Sequence, residues 1–66
     1  MEDYIESFTK VFDYFKKIDN NTALEKAIMW FDIKNPNLGG FRPLDLFKIG
    51  RGHKVLLFIK ASEEGY

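Results

Sequence analysis

The chain has 66 residues, 45% of them hydrophobic and 17% aromatic, with no cysteine and one histidine. A domain of this size buries only about 60% of its unfolded surface, and here no disulfide or multi-histidine metal site is available to reinforce it, so stability rests on packed rings or on association. Ten basic and ten acidic residues give zero formal charge, which excludes the strong net positive field of a dedicated nucleic-acid binder.

From residue 2 to residue 18, Tyr4, Ile5, Phe8, Val11, Phe12, Phe15 and Ile18 recur at steps of three and four, the spacing of one helical face. Acids open this segment and Lys16 and Lys17 close it, matching the helix macrodipole, and Glu6 with Lys10 and Asp13 with Lys17 stand at favourable i,i+4 spacing. Asp19-Asn20-Asn21 breaks the pattern. Thr22 followed by Glu25 reads as a capping box at the start of a second helix, with Leu24, Ala27, Ile28 and Phe31 as its expected buried stripe and Met29 and Trp30 to one side. Pro36 requires that helix to end before Asn35.

Asn35-Pro36-Asn37-Leu38-Gly39-Gly40 reads as a turn-rich loop. Pro43 suits the first position of a third, short helix carrying Leu44, Leu46, Phe47 and Ile49, with Asp45 in its first turn and Gly50 as its stop. A fourth helix is expected from about Gly52 to Ser62, burying Val55, Leu56, Phe58 and Ile59. The expected fold is all-α, a compact bundle of about four helices forming one domain over 1–66: an aromatic N-terminal helix in 1–20, and a second region in 22–66.

No catalytic constellation emerges. His53 has no nucleophile motif around it, and Ser7, Thr9, Thr22 and Ser62 lie in no elbow sequence. Neither a catalytic residue, a cofactor site nor a metal site is expected, and a zinc site in particular needs several Cys or His ligands. Leu38-Gly39-Gly40-Phe41-Arg42-Pro43 lacks the spacing of either phosphate-loop fingerprint. The last two helices are too apolar for a helix-turn-helix reading, so direct DNA binding is not expected. Between Lys34 and Lys60, six basic residues face one acid, which suggests a basic face. The N-terminus has no basic-then-apolar leader and no stretch approaches 18 apolar residues, so the expected location is cytoplasmic.

From Ala23 to Gly65 the order of features resembles the toxin-binding domain of Xre/MbcA/ParS-type antitoxins. The carrying residues are Ala27-Ile28-Met29-Trp30-Phe31, Asn35-Pro36-Asn37-Leu38-Gly39-Gly40, Arg42-Pro43-Leu44-Asp45-Leu46-Phe47 and Gly50. Glu63 and Gly65 fit the family's closing pattern, although Ser62 stands where an apolar residue is usual, and no helix-turn-helix domain precedes the region. The resemblance implies a helical module that neutralises a RES-domain toxin, an enzyme that attacks NAD, by binding it. The expected interface lies on the third and fourth helices: Arg42, Lys48, Arg51 and Lys54 for carboxylates, with Glu63, Gly65 and Tyr66 nearest the toxin's cleft. Two alternatives stand beside it: a homo-oligomeric structural or adaptor domain using the surplus aromatics, and a nucleic-acid accessory protein using the basic stretch.

Overall fold

The first helix, α1, runs Glu2–Ile18, and three more follow it: α2 over Ala23–Asp32, α3 over Pro43–Lys48 and α4 over Gly52–Glu63. These elements belong to a computed structural model that describes residues 2–63. The fold is therefore the small all-α bundle that the periodicity predicts, with a short third helix and no strand among the described residues. Its radius of gyration is 11.3 Å, close to the roughly 11 Å of a compact domain of this length. No described helix is long and apolar enough to cross a membrane.

The core is built from Val11 of α1, Ala27 and Phe31 of α2, Leu46 of α3, and Val55 and Ile59 of α4. Around it lies a continuous set of rings. Phe31 is the centre, stacked on Phe8 at 5.6 Å and met by Tyr4 at 5.6 Å, Trp30 at 4.9 Å and Phe47 at 6.4 Å. The edge-on pair of Tyr4 and Phe47, 5.0 Å apart, ties the start of α1 to α3. Such pairs each add about 0.5–1.5 kcal/mol beyond the area they bury. The aromatic surplus thus acts first as the substitute for a disulfide.

Several sequence expectations are corrected by this packing. In α2 the buried stripe is Ala23, Ala27 and Phe31, spaced by four, whereas Leu24 and Ile28 are 55% and 53% exposed. The two alanines have almost no side chain to keep a neighbour away, so α2 approaches the bundle along them, and Leu24 and Ile28, each about 100° further round, turn outward. In α1, Ile5 and Ile18 are exposed while Ser7 is wholly buried on the core face. Ile49, expected within the apolar third helix, lies just after it and is 58% exposed.

The capping box does not form. Thr22 stands at the N-cap of α2, but its φ/ψ of −113°/6° lies outside the extended region from which a hydroxyl reaches the first-turn N–H groups, and its buried Oγ1 has no partner. The salt bridges within α1 are replaced as well. Glu6 pairs with Lys60 at 3.5 Å and Lys10 with Glu63 at 3.2 Å, so both residues link α1 to α4, and Asp13 with Lys17 forms no ion pair.

Between α2 and α3 the loop is more ordered than its turn residues suggest. Asn35 is its hub: its N–H donates to the Phe41 carbonyl, its own carbonyl accepts from Leu38 and Gly40, and its Oδ1 accepts from the Asn37 N–H at 2.9 Å. Pro36–Leu38 form a single 3₁₀ turn within this closed loop. Pro43 occupies the start of α3 as expected, and the other end of α3 closes as a Schellman motif. There the Gly50 N–H donates to Phe47 and the Arg51 N–H to Leu46, with Gly50 at φ +77° in the left-handed conformation the motif requires. The turn that follows brings α4 against α3, and Gly52 is buried directly under the Phe47 ring.

Candidate functional site

Two of the open grooves on the described surface have apolar walls. One lies between α1 and α4, about 340 Å³ in volume, lined by Val11, Tyr14, Phe15, Trp30, Phe58 and Ile59, with Lys10, Ser62 and Glu63 at its rim. The second, about 390 Å³, lies between the 3₁₀ turn, α3 and the start of α4. Leu38, Phe41, Leu46, Ile49 and Phe58 give it apolar walls, and among the described residues Arg51 and Lys54 are its only charged lining residues. The elements around it explain its shape. The Asn35 loop presents Leu38 and Phe41, the Schellman turn presents Ile49 and Arg51, and one turn of α4 carries Lys54 beneath Phe58.

The structure separates the residues expected to form one interface. Arg51 and Lys54 come together in the second groove, both exposed, and no carboxylate pairs with either among the described residues. Arg42 is occupied within the chain. Its Nε and Nη2 donate to the two Asp45 carboxylate oxygens at 2.8 and 3.0 Å, and Nη1 donates to Asp32 at 3.1 Å. The hydrogen bonds from Arg42 hold the Asp45 carboxyl below the usual aspartate range, and the charges of Arg42, Lys48 and Lys34 act in the same direction. Arg42 in turn binds its proton more tightly than usual, mainly through its hydrogen bond to Asp45. This guanidinium staples the end of α2 to the first turn of α3 and is not a free hand for a partner's carboxylate.

Lys48 is exposed on the Asp45 side of α3, and Glu63 lies at the rim of the first groove in its pair with Lys10. Gly65 and Tyr66 lie outside the described residues. Phe41, Ile49 and Leu38 were not anticipated as groove residues. The signal available for Phe41 was its position directly after two glycines, where the chain reverses and a ring has no helix to pack under.

Most motif residues of the antitoxin resemblance have architectural roles here, while Ile28 and Met29 are exposed. Asn35 closes the loop over Pro36 and Leu38, Gly39 and Gly40 make its return at φ +71° and +80°, and Pro43 starts α3. Asp45 holds Arg42, Leu46 is buried, Leu44 and Trp30 pack against the core, and Gly50 ends α3. Among the described residues no group of three or more His, Cys, Asp or Glu side chains is placed to hold a metal, and His53 is exposed. The fold and these grooves define a small helical module with open, mixed apolar and charged surfaces. No protein-family model, curated protein or solved structure matches the chain.

Proposed function

We propose that this chain is a protein-recognition module of the antitoxin type, whose partner is a RES-domain toxin that it neutralises by binding. The observation that carries the recognition reading is surface apolarity: among the described residues, ten large apolar side chains, from Ile5 to Leu57, are each more than half exposed. Single exposed apolar residues are ordinary, but here they occur as neighbours. Leu24 and Ile28 stand one helical turn apart on the flank of α2, Met29 is exposed on the same helix and Ile33 just past its end, while Phe41 and Ile49 share a groove. The choice of a toxin as partner rests on the sequence motifs from Ala27 to Gly50.

Co-expression with a RES-domain toxin, scoring growth rescue and co-purification, tests this reading. Rescue with a stable complex supports it, and growth arrest with no complex removes the toxin. The second reading, a homo-oligomeric adaptor, is favoured by the same outward pair on α2. It predicts a sedimentation coefficient that rises with protein concentration in the absence of any partner.

A further inference from the structure

We infer that the groove between the 3₁₀ turn, α3 and the start of α4 is a docking site for an acidic peptide segment of a protein partner, one that offers an apolar side chain flanked by carboxylates. The inference rests on the protein-recognition reading and specifies the chemistry of what is recognised. Its first support is the placing of two unbridged cations in one apolar-walled groove. Arg42, Lys10 and Lys60 each sit against a carboxylate of the chain, at 2.8–3.5 Å. Among the described residues Arg51 and Lys54 do not; Lys16, Lys17, Lys26, Lys34 and Lys48 are likewise unbridged, but Arg51 and Lys54 share a groove with apolar walls and no acid among its described lining residues.

The second support is the combination of surfaces. Leu38, Phe41, Ile49 and Phe58 form apolar walls directly beside the two charges, and Phe41 and Ile49 remain 51% and 58% exposed. An apolar side chain entering between them removes both from water, and lowers the local dielectric around Arg51 and Lys54, which strengthens their pull on a neighbouring carboxylate. The volume of about 390 Å³ lies in the range of side-chain and small-ligand sites. Arg51 suits the task because its guanidinium can engage a carboxylate through two parallel N–H groups, and Lys54 adds a point charge in the first turn of α4. A nucleic acid would meet only two phosphate-binding cations here, beside acids elsewhere that cancel the net charge.

The test is an amide-shift titration of the ¹⁵N-labelled chain with a blocked hexapeptide, Glu-Glu-Leu-Phe-Asp-Asp. Its charge-reversed counterpart, Lys-Lys-Leu-Phe-Lys-Lys, and an oligothymidylate serve as comparisons. Saturable shifts are expected at Gly39, Ile49, Arg51 and Lys54 with the acidic peptide alone, weakening as salt rises toward a Debye length of about 8 Å. The double variant Arg51→Glu/Lys54→Glu is expected to lose about tenfold in affinity while keeping its helical circular dichroism and Tm, because both side chains are exposed and make no internal ion pair. Shifts of equal size with the basic peptide, tighter binding of the oligothymidylate, or no saturable shift at millimolar acidic peptide would each overturn the proposal. Growth rescue is scored separately. Failed rescue with an intact titration removes the toxin and leaves the groove, whereas rescue with a failed titration leaves the toxin and removes the groove.

Discussion

Gly52 offers the sharpest test of the packing. It is the first residue of α4 and is buried, and a Cβ placed on it would overlap the Phe47 ring, 2.9 Å from Cγ and closer still to Cδ1 and Cε1. The ring cannot evade this by moving only its far end, because the overlap reaches Cγ, where the ring joins its own Cβ. Displacing Phe47 also disturbs Tyr4, whose ring meets it at 5.0 Å, and Phe31 at the centre of the core. Overpacking of this kind costs about 1–3 kcal/mol. The gain of up to ~1 kcal/mol that alanine brings over glycine belongs to helix interiors and is largely absent at a first position. Gly52→Ala is therefore expected to lower Tm by about 4–24 °C, at roughly 4–8 °C per kcal/mol for a domain of this size. Thermal and urea unfolding followed by circular dichroism measure it. The double variant Gly52→Ala/Phe47→Leu should lose less than the sum of the two single changes, since removing the ring removes the clash. A Tm for Gly52→Ala equal to or above that of the parent chain would refute the reasoning, and strict additivity would locate the damage away from Phe47.

Ser7→Ala is expected to stabilise the domain by about 1 kcal/mol, because the Ser7 hydroxyl is buried without a partner and alanine is the better helix former; a loss of stability in urea unfolding would show that the hydroxyl is bonded. Asp45, whose carboxyl is held below its ordinary value by Arg42, contributes stability that is fully present above the unfolded pKa of about 3.9 and is lost as pH falls through the lower folded value. Asp45→Asn should accordingly be less stable than the parent near pH 7 and approach it near pH 2, and a constant gap across that range in urea midpoints would count against the staple. Leu24→Lys/Ile28→Lys should leave stability within about 0.5 kcal/mol per site, as both side chains point outward, and should abolish any concentration dependence in sedimentation that the parent shows. A collapse of Tm in this variant would mean that the exposed flank of α2 is buried after all.

What the sequence made legible follows from which interactions are local. The helix bounds came from period, proline and glycine, and each of these acts within a few residues: Pro43 at the start of α3, Gly50 in its Schellman turn, Asp19-Asn20-Asn21 between α1 and α2. The core face of α4 was legible too, since Val55, Leu56 and Ile59 are large, apolar and correctly spaced. The errors lie where a partner element decides. Leu24 and Ile28 were assigned to the core because they are large, but burial in α2 goes to Ala23 and Ala27, whose small size is what permits a close helix crossing. Glu6 and Lys10 had suitable partners on their own helix and found others on α4. The Thr22 cap depended on backbone angles that no spacing rule reads. At the candidate site, Arg51 and Lys54 were visible as charges, but their grouping with Phe41 and Ile49 depends on the Asn35 loop folding back beside α4.

Arg42 and Arg51 show how charge type alone misplaces a binding surface. Both are arginines in a stretch where cations outnumber acids six to one, and composition treats them alike. The difference is the residue three positions on. Arg42 precedes the first turn of α3 with Asp45 within reach of a two-pronged hydrogen bond, so it is consumed in joining α2 to α3. Arg51 precedes the first turn of α4, where the same offset is filled by Lys54, so two like charges line one groove and, among the described residues, neither has a carboxylate partner. Two adjacent cations unrelieved by an acid repel each other at a modest cost to the isolated fold. That cost is removed when a carboxylate arrives, which makes the groove more favourable to an acidic partner than either charge would be alone. Arg42→Gln should therefore reduce stability with little effect on acidic-peptide affinity, and Arg51→Gln the reverse. A titration in which the two variants lose affinity equally would place the binding surface elsewhere.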